Sequence, residues 1–155
     1  MSPHGWSSRI NLDGFLTYSD HSYVQVFRSG GIEAVEAWLL RLRDGSGLIP
    51  GVAYERAIIE VLTRYWAIRK QLGVEPPVII MLSLLGVHGF TMGVGAQYFM
   101  DDGHPIERDA LILPEVAVES FDSDPAEVMR PAFDMVWNAC GWPHSINYDA
   151  QGKWV

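Results

Sequence analysis

Two adjoining stretches, residues 52–72 and residues 78–85, limit most strongly what this chain can fold into. Apolar side chains recur along the first stretch at steps of three and four, which is the spacing of one helix face. Charged residues, among them Glu55 and Glu60, occupy the opposite face. The pattern predicts a long amphipathic helix with one face against a core. Its apolar face consists of Tyr54, Ile58, Val61, Leu62, Tyr65, Ile68 and Leu72.

The second stretch is a continuous apolar run that begins with three β-branched residues. Such a run, bounded by glycine and proline, predicts a central strand covered on both faces. Gly73 and the pair Pro76-Pro77 separate it from the helix, which must therefore end near Leu72. The two stretches together predict a helix packed on a sheet.

Strand patterns precede this helix. Alternating apolar and polar residues predict one strand at residues 9–19, with a break at Gly14, and a second at residues 23–28. Residues 29–31, Ser-Gly-Gly, supply the positive backbone angles of a tight hairpin. Residues 32–42 then fit either a third strand or a helix, because their apolar residues also recur at helical spacing. The strand is favoured, since the hairpin turns the chain back and another glycine turn follows.

The second half of the chain continues with strands and a second helix. Four glycines between residues 86 and 95 predict a bent strand at residues 90–94, and residues 110–121 alternate as another strand. An acidic cap followed by Pro125 predicts a helix start. The apolar stripe of this helix is Val128, Met129, Ala132, Phe133, Val136, Trp137 and Cys140.

Short strands at residues 145–148 and 153–155 complete the predicted order βββ-α-ββ-α-β. Consecutive strands linked by hairpins, with helices between groups of strands, are typical of an α+β fold with a largely antiparallel sheet. A length of 155 residues suits a single domain covering residues 1–155.

Charge and cysteine content exclude several classes of function. Nineteen acidic and eleven basic residues give a net charge of −8, which repels a phosphate backbone and argues against direct nucleic-acid binding. The apolar runs are too short for a membrane span, and the first residues lack the pattern of a signal peptide. Cys140 is the single cysteine, so no internal disulfide forms. We expect a soluble, cytoplasmic protein without membrane contact.

Known chemical motifs are missing from the sequence. The five histidines do not occur at metal-binding spacings, and the glycine-rich segments match neither a phosphate loop nor a dinucleotide fingerprint. Ser83 lacks a nucleophile elbow, and Cys140 lies on a core stripe, which predicts a buried, inert thiol. No cofactor, metal or catalytic residue is therefore predicted.

Four polar residues are candidates for a binding site. His88 follows the apolar run between two glycines, where its ring would project at the rim of the sheet; the alternative is a hydrogen-bonded structural histidine. Arg108 and Asp109 precede the strand that carries Glu115, and they would either recognise a ligand or simply hold their loop by a charge-assisted pair. We expect His88, Arg108, Asp109 and Glu115 to bind a ligand or partner.

Six stretches of the chain together point to a known family: 9–14 (RINLDG), 26–33 (VFRSGGIE), 82–87 (LSLLGV), 113–115 (LPE), 130–133 (RPAF) and 137–138 (WN). They resemble the region after the N-terminal domain in prokaryotic Schlafen-like proteins of the AlbA type. The resemblance implies an accessory or sensing module that lies downstream of a Schlafen-like core and controls it, with a role in phage defence. The core, which binds nucleotides or nucleic acids in that family, is missing from this chain.

The sequence thus predicts a non-catalytic regulatory domain that binds a ligand, a protein partner or an upstream effector domain. Association with a second copy of the chain is left open. The rival hypothesis is a small hydrolase that uses His88 with Asp109 or Glu115. Catalysis would require these groups to converge within hydrogen-bond distance in a pocket.

Overall fold

The structure is a computed structural model of the chain, and it describes residues 5–40, 42–43, 46–94 and 103–155. The chain forms two compact units, Met1–Arg41 and Leu42–Val155. Two helices and several mostly antiparallel sheets confirm the predicted α+β class.

The first unit contains a four-stranded antiparallel meander. Its strands are β1 (Ser7–Ile10), β2 (Gly14–Tyr18), β3 (Ser22–Phe27) and β4 (Ile32–Glu36), and they lie side by side in chain order. One strand over residues 9–19 with a break at Gly14 was predicted, and this is wrong, because the chain reverses before Gly14 and the two parts pair antiparallel as β1 and β2. The Asn11 side chain accepts the backbone N–H groups of Asp13 and Gly14 and so holds this turn.

The predicted hairpin after β3 is confirmed. The backbone N–H of Phe27 donates to the carbonyl of Gly31 over 2.8 Å, and Gly30 has a φ of 86°. The structure also decides between the two interpretations of residues 32–42, since β4 is a strand paired with β3.

The second unit begins with the short strands β5 (Leu42–Arg43) and β6 (Ser46–Pro50), which lead into helix α1 (Gly51–Gln71). The helix is confirmed, as is its end, where Gly73 has a φ of 68°. Its predicted buried face is partly wrong. Glu55 and Trp66 are buried, whereas Leu72 is 72 % exposed and Ile68 is 46 % exposed.

The neighbours of α1 explain this difference. Trp66 packs with Val118 and Phe121, and part-buried Val78 and Ile80 complete that cluster. Strands in this region are only three residues long, so they cover Trp66 and leave the last turn of the helix in solvent.

The predicted central strand at residues 78–85 is wrong. The chain there forms two strands, β7 (Val78–Ile80) and β8 (Ser83–Leu85), and each pairs with one antiparallel neighbour among the described residues. The outward side chains of Ile79, Met81 and Leu85 are 53 %, 76 % and 71 % exposed, so the second face is uncovered.

The strand predicted at residues 110–121 is interrupted in the same way. It forms β10 (Ala110–Ile112), which pairs with β8, and β11 (Val116–Val118), which pairs with β7. Pro114 lies between them and has no backbone N–H to donate to a ladder.

Strand β9 (Phe90–Gly93) lies parallel to β6 in a three-stranded sheet with β5. Helix α2 (Pro125–Ala139) starts as predicted, with the Asp124 carboxylate accepting the backbone N–H of Ala126 over 2.9 Å. The terminal strands shrink to a single bridge between Tyr148 and Trp154. All predicted stripe residues of α2 are buried except Val128, which is half-buried.

Among the described residues, no helix has the length and apolar character required to cross a bilayer.

Candidate functional site

One face of the four-stranded meander forms an open groove of about 480 Å³. Strand register explains its shape, because Arg9 faces Leu16, Leu16 faces Gln25, and Gln25 faces Glu33. These four side chains make one row across all four strands, with a cation at one edge and a carboxylate at the other. The complete lining is Arg9, Leu16, Tyr18, Tyr23, Gln25, Phe27 and Glu33.

A pair of tyrosines flanks this row. Tyr18 faces Tyr23 on the neighbouring strand. The guanidinium carbon of Arg9 lies 5.6 Å from the ring centroid of Tyr18, within the range of a cation–π contact. At the other edge the Tyr23 hydroxyl donates to the Glu33 carboxylate. This hydrogen bond, with desolvation and the charge of Glu33, raises the pKa of Tyr23. Each charged group is therefore oriented by one tyrosine.

Gln25 forms the polar part of the groove floor. The residue is only 6 % exposed. Its Oε1 accepts from Nδ2 of Asn11 over 2.9 Å, and its Nε2 donates to the carbonyl of Val26 over 3.2 Å. Because Asn11 is itself held by the turn that it stabilises, the amide of Gln25 keeps one orientation. The groove thus combines aromatic walls, a fixed amide and two opposite charges.

The other face of the meander is apolar. Ile10 faces Phe15, Phe15 faces Val26, and Val26 faces Ile32, which gives a second row across all four strands. Ile10 is 78 % exposed and Phe15 is 47 % exposed. Exposed apolar rows of this kind are typical of protein interaction surfaces.

The four residues predicted as a site lie in the second unit, and the structure brings some of their backbone together. The N–H of Val87 donates to the carbonyl of Asp109 over 3.1 Å, so the turn that carries His88 lies beside the loop of Arg108 and Asp109. Glu115 lies beyond the far end of β10. All four side chains are exposed, and within the described part of the chain no hydrogen bond or ion pair joins them. Their role in binding stays a prediction.

A buried polar cluster around Glu55 in the second unit was missed by the sequence patterns. Glu55 is fully buried, although it lies on the charged side of the helical pattern. Its Oε1 accepts from Trp137 Nε1 and Ser145 Oγ, each over 2.7 Å. Its Oε2 accepts from Asn147 Nδ2 over 2.9 Å and Trp154 Nε1 over 2.7 Å. The residues next to Glu55 in sequence could not reveal its burial, because all four donors lie more than 80 positions later in the chain.

This cluster has a structural role. Four donors satisfy the carboxylate, which is the condition for burying a charge at low cost. The bonds connect α1 to α2 and to the C-terminal segment, so the carboxylate is enclosed rather than presented to a substrate.

Cys140 is buried as predicted, and desolvation raises the pKa of its thiol to about 11. A thiol in this state is a poor nucleophile. In the part of the chain that the structure describes, no group of three or more His, Cys, Asp or Glu side chains is arranged to hold a metal ion.

Comparisons with family models, with curated proteins and with solved structures found no significant match to this chain. The resemblance to Schlafen-like proteins of the AlbA type therefore stays a prediction. Function has to be inferred from the geometry of the groove.

Proposed function

We propose that this chain is a non-catalytic binding domain with a regulatory role, and that the groove of the meander is its recognition site. The observation that carries the proposal is the row from Arg9 to Glu33 across four strands, beside the neighbouring pair Tyr18 and Tyr23. Aromatic walls with a few oriented polar groups are the usual composition of a binding site.

The lining of the groove favours binding over catalysis. Among the described residues that line it there is no serine, cysteine, histidine or lysine, so a nucleophile beside a histidine base is missing. The only carboxylate among these lining residues, that of Glu33, accepts from the hydroxyl of Tyr23. The rival hydrolase, His88 with Asp109 or Glu115, has less support, because all three side chains are exposed and no hydrogen bond joins His88 to either carboxylate among the described residues.

The apolar face of the meander supplies the second half of the proposal. A regulatory domain needs one surface for its signal and another for the protein that it controls. The row Ile10, Phe15, Val26 and Ile32 is suited to a protein partner because it is apolar and its first three residues are exposed. We propose a cytoplasmic effector of the Schlafen-like class as that partner, in keeping with the resemblance.

Peptide binding to the full 155-residue chain tests the recognition site. We expect members of a panel of short, capped peptides of varied charge to shift the NMR resonances of the groove residues. The double variant Tyr18→Ala/Tyr23→Ala removes the aromatic walls and should weaken that binding at least about tenfold, since buried aromatic anchors dominate such interfaces.

Thr17→Ala is the matched control, because Thr17 lies on the same strand as Tyr18, on the opposite face, and outside both proposed binding surfaces. It should leave peptide binding unchanged. A chain that retains its NMR dispersion but gives no groove shifts with any peptide in the panel would refute the recognition site. If the control variant loses as much peptide binding as the double variant, the peptide binds outside the groove.

A further inference from the structure

The two charges of the groove lie at opposite edges of the meander, Arg9 on β1 and Glu33 on β4. Neighbouring strands are about 4.8 Å apart, so three spacings place the backbone of these residues roughly 14 Å apart. A single amino acid or other small zwitterion is too short for that span. An extended peptide advances about 3.3 Å per residue, so side chains about four residues apart match it.

Both charges remain available to a ligand. Arg9 contacts the ring of Tyr18, and Glu33 accepts from the hydroxyl of Tyr23, but neither forms an ion pair with any described residue. A ligand carboxylate could form a charge-assisted hydrogen bond with Arg9, and a ligand ammonium or guanidinium could form one with Glu33. A ligand group of like charge would be repelled.

The floor between the charges is suited to an apolar side chain. Leu16 and Gln25 form the middle of the row, the amide of Gln25 already has partners in Asn11 and Val26, and the ring of Phe27 lies on one side of the groove. The ligand chemistry that fits is therefore acidic at one end, apolar in the middle and basic at the other end.

We infer that the groove binds an extended peptide segment of a partner protein, with an acidic side chain at Arg9, a basic side chain at Glu33 and an apolar residue between them. This inference rests on the proposed function and specifies its ligand. Single-stranded nucleic acid fits less well, because its phosphates would face Glu33 and a chain of net charge −8.

Three peptides of equal length and with the same central leucine test the charge requirement. The first carries Asp and Lys four residues apart, the second carries two Asp, and the third carries two Lys. Fluorescence anisotropy at low and physiological salt should show that the mixed peptide binds about five- to tenfold more tightly than the other two, as expected for two exposed charge pairs.

Reversing a charge of the groove should change which of the three peptides binds most tightly. Arg9→Glu should bind the Lys/Lys peptide best, Glu33→Lys should bind the Asp/Asp peptide best, and the double variant should return to the mixed peptide. Asp20→Lys is the control for net charge, because Asp20 is exposed in the turn between β2 and β3. It should leave the order of the three peptides unchanged.

The outcomes separate this inference from the function on which it rests. Equal binding of the three peptides, still lost in Tyr18→Ala/Tyr23→Ala, overturns the charge requirement and keeps the groove as a binding site. No binding of any peptide, in this set or in the varied panel, overturns both. Binding of a single-stranded RNA oligonucleotide in place of the peptides also overturns both.

Discussion

The indole N–H of Trp154 donates to the buried carboxylate of Glu55 over 2.7 Å, although 99 positions separate the two residues. Trp137 donates to the other carboxylate oxygen over the same distance. Two tryptophans from different segments are thus fixed by one helical carboxylate. The guanidinium of Arg56, the next residue of α1, also lies 5.5 Å from the Trp154 ring centroid. The C-terminal segment is part of the core through these contacts.

Replacement of Glu55 by Gln should destabilise the fold strongly. Gln keeps one acceptor oxygen, but its amide N–H₂ group would face two of the four donors, which would lose their acceptor. We expect a loss of about 2–4 kcal/mol in the free energy of unfolding, since hydrogen bonds to buried charges contribute about 1.5–3 kcal/mol each. Urea denaturation measures it. Glu60→Gln, exposed on the same helix, should change stability by less than about 0.5 kcal/mol.

The buried face of α1 can be tested by comparing two truncations. Trp66→Ala removes a ring that is 4 % exposed and should cost about 3–5 kcal/mol. Leu72→Ala removes a side chain that is 72 % exposed and should cost less than about 0.5 kcal/mol. Chemical denaturation measures both losses. If the two variants lost similar free energies of unfolding, Leu72 would belong to the buried face of α1, as the apolar spacing predicts.

Two aspartates before α2 should differ in their effect on stability. Asp124 caps the helix by accepting the backbone N–H of Ala126, so Asp124→Ala should cost about 1 kcal/mol. Asp122 forms an exposed ion pair with Lys70, and such pairs contribute between about 0 and 1 kcal/mol. Thermal melts of Asp124→Ala and Asp122→Ala should therefore show the larger fall in Tm for Asp124→Ala. The reverse order would contradict the capping role.

Stability should fall in alkali. Burial raises the pKa of Cys140 from its usual value of about 9 to about 11. Below pH 9 the thiol is protonated in both the folded and the unfolded chain, so its contribution to stability does not change with pH. Between pH 9 and pH 11 the unfolded chain releases its thiol proton more readily, and stability decreases. Burial also raises the pKa of Tyr148 and of Tyr54, which extends the decrease to higher pH.

Urea midpoints measured below and above pH 9 should reveal this slope, and Cys140→Ala should reduce it between pH 9 and pH 11. The thiol of the folded chain should also react slowly with an aromatic disulfide reagent near neutral pH and quickly in denaturant. Rapid modification of the native chain would contradict the burial of Cys140.

Local chemistry determined the features that depend on neighbouring residues alone. A positive φ at Gly73 ends α1, Asp124 with Pro125 starts α2, and the Gly30 turn directs β3 into β4. Each of these signals acts within one or two turns of the chain, so a pattern of residue types was enough to predict it. The continuous apolar run at residues 78–85 gave a wrong prediction of one central strand, because apolar composition does not say whether a second layer covers the outer face.

Features that depend on distant pairing were decided by tertiary structure. Arg9 and Glu33 lie on one face only because the register of three strand pairs places them in the same row, and a shift of one residue in any pair would separate them. Glu55 has the helical position of a solvated residue and is buried because four donors from two later segments converge on it. Helical spacing describes which residues share a face. Which face is buried, and whether a charge on it can be satisfied, depends on what the rest of the chain brings to that face.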